Sequence, residues 1–141
     1  MRKAFWIAAT LSAVVSFLIG GILHGVVLES YLQGYAFVHY KGLMKDTPDY
    51  ILIFLGNAGI ACMMTYVFNQ WAHVRSAMQG IKTAIIISAP MSIGADITFY
   101  GIMNIYNGPL PLFINVIASI VISAGAGAAA GVGDIATGDV D

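Results

Sequence analysis

Four apolar stretches, at residues 4–28, 50–71, 81–104 and 112–132, occupy most of this 141-residue chain. Each is long enough to cross about 30 Å of hydrocarbon. In lipid a backbone must satisfy its own N–H and C=O groups, which leaves helices and closed barrels. Unbroken apolar runs, rather than short alternating segments, select helices. The expected fold is therefore all-α: an integral membrane four-helix up-down bundle, one transmembrane domain over residues 1–141 with a short acidic tail at 133–141. Only 9% of the residues are charged, against about 25% in soluble domains, too few to coat a surface in water.

Local signals agree with these boundaries. Asp46-Thr-Pro-Asp49 suits a helix start. Asn107-Gly-Pro-Leu-Pro111 makes a tight, uncharged turn between the last two spans. Short connections make consecutive helices antiparallel neighbours. Met1-Arg-Lys3 before an apolar run has the look of a signal peptide, but the run continues to Leu28, well past an h-region of about 7–15 residues. An uncleaved first helix is expected. Arg2, Lys3, Arg75 and Lys82 would lie on one side, and Lys41 and Lys45 on the other. The positive-inside rule then predicts a bacterial inner membrane protein with both termini in the cytoplasm. A net charge of −1 provides no basic face for nucleic acid. The single cysteine, Cys62, has no internal partner for a disulfide.

Each span carries small or polar residues four apart, on one helix face. Span one has Ser12, Ser16, Gly20 and His24, with Gly21 and Gly25 alongside; span two has Asn57, Ala61, Thr65, Asn69 and then His73. Span three has Ser88, Ser92, Asp96, Tyr100 and Asn104; span four has Asn115, Ser119, Ser123, Gly127 and Gly131. Such faces let helix backbones approach closely in lipid and hydrogen-bond across the contact. Ser16, Gly20, Gly21, Gly25, Ser123, Gly127 and Gly131 are the expected packing residues. The same stripes could instead line a polar path.

Asp96 is the one ionisable residue well inside a span, near the middle of the third stretch. A carboxylate there must be protonated, hydrogen-bonded or wet. No basic residue lies at its depth, so the expected partners are Asn57, Thr65, Asn115 or Ser119. With Tyr100 and Asn104 these form a candidate intramembrane polar site. Pro90 could kink the span and free a carbonyl. A proton or cation relay and a structural, protonated carboxyl both remain open.

His24, Glu29 and His39 could meet at one face, but their spacing matches no metal motif, and no metal is expected. His24 or His73 could ligate a haem or chlorophyll-type pigment, with Gly20 and Gly21 leaving room. They fall near opposite faces and could not clamp one haem together. No cofactor is required by the sequence. No serine or cysteine on the apolar helices has a histidine one turn away, and the histidines sit at span ends, so no enzymatic nucleophile is expected.

Gly20-Gly-Ile-Leu-His-Gly-Val-Val-Leu-Glu29, Ala95-Asp-Ile-Thr-Phe-Tyr-Gly-Ile-Met-Asn104, the Pro-broken turn and the Gly/Ala-rich last helix resemble the small four-span bacterial membrane proteins of the DUF1761-like group. In that group an Asp, a Tyr-Gly and an Asn recur in the third helix. The resemblance implies the four-span fold and an inner-membrane location. His24 stands where the group has an aromatic pair.

The function expected from the sequence is non-enzymatic: an accessory or structural subunit of a larger membrane complex, or a self-associating bundle. Its partners would be the lipid bilayer, other membrane subunits or itself. The alternative is a small transporter or proton-coupled channel using Asp96 with Asn57 and Asn104.

Overall fold

The computed structural model describes residues 3–36, 38, 40, 45 and 47–136, with the backbone alone at 33, 35 and 134–136. Arg2, Lys41, His39 and the tail beyond 136 lie outside the described residues. Among the described residues there are five α-helices: α1 (Lys3–Ile22), α2 (Glu29–Tyr31), α3 (Tyr50–Val67), α4 (Ala77–Ile102) and α5 (Leu110–Ala136). Three π-helical turns extend them, Leu23–Val27 after α1, Leu32–Ala36 after α2 and Phe68–Ala72 after α3. No strand occurs among the described residues. Four helical runs, Lys3–Val27, Tyr50–Ala72, Ala77–Ile102 and Leu110–Gly133, are long and apolar enough to cross a membrane. Their outward faces are apolar, with Ile51 73% and Ile86 71% exposed.

Capping sets where the helices start. The Asp49 carboxylate accepts from the Leu52 N–H at 3.1 Å, which fixes the start of α3. Ser76 Oγ accepts from the Gln79 N–H at 3.2 Å, and Gln79 Oε1 accepts from the Arg75 N–H at 2.8 Å. This reciprocal pair resembles a capping box, and it starts α4 at Ala77, earlier than the expected residue 81. The last helix likewise runs past 132, so residues 133–136 are helical rather than tail. α4 passes through Pro90 without a break. Between α4 and α5, Gly108 takes φ = 100°, a left-handed turn conformation that glycine adopts freely.

We call the end holding the start of α1 and the α3–α4 turn the base, and the other end the top. Consecutive helices are not all neighbours, contrary to the up-down expectation: α3 packs on α1, α1 on α5 and α5 on α4, while α3 and α4 barely meet. The spatial order is α3–α1–α5–α4. The cause is that α5 has small residues on two sides. A methyl on Gly127 would lie 2.6 Å from the Ala84 Cβ and overlap the Gly80 carbonyl; one on Gly131 would lie 2.5 Å from the Ser76 oxygen. On its other side, a methyl on Gly133 would lie 2.7 Å from Ala8 Cα of α1. The glycines of α3, Gly56 and Gly59, face open space. Its attachment to α1 includes an edge-to-face contact of Phe17 with Phe54, centroids 5.5 Å apart.

Candidate functional site: a carboxylate–amide pair above an apolar cavity

Antiparallel packing of α4 on α5 puts Asp96 beside Asn115. The Asn115 Nδ2 donates to both carboxylate oxygens, at 2.8 and 3.0 Å. Asp96 is buried, 6% exposed. Of the four partners offered by the sequence, Asn115 is the one bonded to it. Because α4 begins at Ala77, its midpoint falls between Ala89 and Pro90. Asp96 thus stands roughly 10 Å above that midpoint at ~1.5 Å per residue, in the top third of the helix rather than near its middle. The α4–α5 turn adds Tyr106, which the sequence did not single out. Burial raises the Tyr106 phenol above its ordinary pKa of 10.0, and the nearby negative charge of Asp96 raises it further.

Ala36, Val38 and Tyr40 lie across the same turn. The Val38 N–H donates to the Ile105 oxygen and the Asn107 N–H to the Ala36 oxygen, both at 2.9 Å. Tyr40 Oη donates to the Asn104 backbone oxygen at 2.8 Å. Asn104 lies beyond the end of α4, so its backbone, rather than the helical stripe, makes this contact. Tyr100 is exposed, with its ring 6.3 Å from that of Tyr106.

Below the pair, one register continues down α4 and α5. Positions 92 and 119 fall level, then 88 and 123, then Ala84 and Gly127. Ser88, Ser92, Ser119 and Ser123 line a cavity of ≈ 270 Å³ together with Ser12 and Ser16 of α1 and Asn57 and Ala61 of α3. The polar stripes of all four spans converge here. The cavity wall is nevertheless overwhelmingly apolar. Ser16 Oγ donates to its own helix, to Ala13 O at 3.0 Å. Ser88 Oγ is buried without a hydrogen-bond partner among the described residues. Asn57 Nδ2 donates to Ile53 O at 3.1 Å within α3. The serines therefore make room by being small more than they make the wall polar. Toward the base, Phe68, Val74, Ala84 and Ala130 form a buried cluster, with Met64 and Ile87 packed against it, and close the cavity.

The remaining candidates lie elsewhere. Thr65 is fully buried in α3, its hydroxyl without a hydrogen-bond partner among the described residues, and it does not line the cavity. Gly20 faces Ile122 of α5 at an ordinary 3.6 Å, whereas Gly21 and Gly25 have nothing within 4 Å. Those two were expected to pack; Gly21 at the end of α1 and Gly25 in the π-helical turn after it point away from the neighbouring helices. His24 is half-buried in the π-helical turn near the top. His73 is exposed at the base with φ = 45°, ending the helical run of span two. The two histidines are at opposite ends. Among the described residues no three His, Cys, Asp or Glu side chains come together as a metal site.

Compared with known proteins, the chain matches no family model, no curated protein and no solved structure.

Proposed function

We propose that this chain is a non-enzymatic, multi-pass protein of the bacterial inner membrane that works by association, as an accessory or structural subunit or as a self-associating bundle. The observation that carries this reading is the apolar interior beneath Asp96. A cavity with an apolar wall stays dry and offers an ion no replacement for its hydration shell. The base is closed by Phe68 and its neighbours, so no polar route leads from the carboxylate to the other end. Asp96 then acts as a lock, holding the tops of α4 and α5 together through Asn115. The basic residues, weighed by the positive-inside rule, support cytoplasmic termini.

A second reading, a small proton-coupled transporter, draws on the burial of Asp96 near one end with Tyr106 beside it. One experiment separates the two. The protein is purified in mild detergent, its bound components are identified by mass spectrometry, and wild type and Asp96→Asn are reconstituted in liposomes for a proton-flux assay. Stoichiometric co-purification of other membrane proteins or a stable homo-oligomer, with no flux in either variant, supports the association reading. Flux that Asp96→Asn abolishes overturns it in favour of transport.

A further inference from the structure

No described residue occupies the cavity, and its dimensions say what can fill it. Along α4 it runs from Ala84 to Ser92, about 12 Å at ~1.5 Å per residue. Over that length ≈ 270 Å³ is the space open to the centre of a water molecule, which gives a bore roughly 8 Å across once the ~1.4 Å water radius is added on each side, against the ~10–12 Å of a helix with its side chains. A second polypeptide helix does not fit; a single extended hydrocarbon chain does. The apolar wall selects against a head group, an ion or a sugar. Access is lateral, because α3 and α4 come together only at the base, where Met64 and Phe68 pack against Ala84 and Ile87. An unfilled void forfeits the dispersion contacts of every atom lining it.

We propose that the cavity is a binding site for one acyl chain of a bilayer phospholipid, admitted between α3 and α4 above the Phe68 plug. The chain lies against Ser12 and Ser16 of α1, on the far wall from the opening. The lipid then supplies the contact that α3 and α4 do not make with each other. It is a structural component of the bundle, distinct from the loose shell around it. The inference rests on the bilayer location proposed above.

The wall itself gives the test. Ser12 is 2% and Ser16 7% exposed, so a chain lying outside the bundle cannot reach them. The whole protein is reconstituted in phosphatidylcholine vesicles doped with a phosphatidylcholine bearing a diazirine near the methyl end of one chain. After photolysis, the adducts are mapped by mass spectrometry. The expected result is labelling of the Ser12–Ser16 face as well as of outward residues such as Ile86 and Ile97. In Ala61→Phe, which fills the bore, α1 labelling should fall at least several-fold, while Ile86→Phe on the outer face leaves it unchanged. Should Ala61→Phe fail to fold, Ser119→Leu makes the same test from the opposite wall. Labels confined to Ile86 and Ile97, or α1 labelling that persists in the filled variant, overturn the site while leaving the bilayer location intact. Absence of label everywhere overturns the location, and the site with it. An unlabelled α3–α4 edge that a bifunctional protein cross-linker joins to a second copy assigns the opening to a protein and overturns the lipid.

Discussion

The α4–α5 seam and the α3–α4 edge are built from the same residue types and behave oppositely. Both pairs of helices are consecutive in the chain, and both carry small residues at a spacing of four. On the seam, Gly80, Gly127 and Gly131 bring backbone against backbone, and Asp96–Asn115 ties the top. Across the edge, the small residues face a void instead of each other. A small-residue stripe allows close approach without compelling it. A stripe becomes an interface only when the partner helix presents a complementary surface at the same height.

The sharpest way to break the comparison is to enlarge one residue on each side. Gly127→Leu should cost at least about 3 kcal/mol, beyond ordinary overpacking, because the colliding atoms are backbone. The expected readout is loss of folded protein, or a large drop in Tm in detergent. Retention of wild-type stability would mean that the seam opens without cost.

A smaller loss is expected at the top of the seam. Asn115→Leu leaves the Asp96 carboxylate without its donor and should cost about 2 kcal/mol, the range for a hydrogen bond to a charged group. A double-mutant cycle with Asp96→Asn should give a coupling of about 1–3 kcal/mol. Additivity of the two single effects would show that the pair does not act as a lock.

On the open edge the same kind of enlargement should be tolerated. Ala61 is 4% exposed and lines the cavity; the carbons added in Ala61→Leu are expected to enter that space and to change stability by less than about 1 kcal/mol, in contrast to Gly127→Leu. Equal damage at both sites would show that the edge closes in the folded protein. Ile86→Ala, on the outer face, sets the baseline and should fall within about 0.5 kcal/mol of wild type.

The smallest effect concerns pH. The Tyr106 phenol holds its proton more tightly in the folded protein than in the unfolded chain. Its contribution is therefore fully present below pH 10.0 and is lost as pH rises from there through the folded-state pKa. Denaturation followed between pH 9 and 12 should show stability falling above pH 10, with a shallower fall in Tyr106→Phe. Identical profiles for the two proteins would remove Tyr106 from the environment of Asp96.

Several features of the site were legible from residue spacing. Asn115 was one of four candidate partners for Asp96, since a hairpin with a tight Gly108 turn brings two period-four stripes face to face. The convergence of Ser88, Ser92, Ser119 and Ser123 follows from the same register. The height of Asp96 was misread because it depends on the start of α4, and the Ser76–Gln79 cap moves that start to Ala77. That signal was present in Ser76-Ala-Met-Gln79 but stood just outside the apolar run. Nothing local told Gly21 and Gly25, which face outward, from Gly127 and Gly131, which do not.

By itself the sequence determined the class of the molecule: four long apolar helices, their approximate ends and the face on which each carries its small and polar residues. These follow from length, hydropathy and helical period, which are properties of each segment alone. Only the tertiary structure decided the order α3–α1–α5–α4, the choice of Asn115, and the turning of a polar-looking convergence into an apolar cavity. Those outcomes depend on which two surfaces fit at the same height and on where each hydroxyl finds its acceptor. Both are relations between segments, so no single segment encodes them.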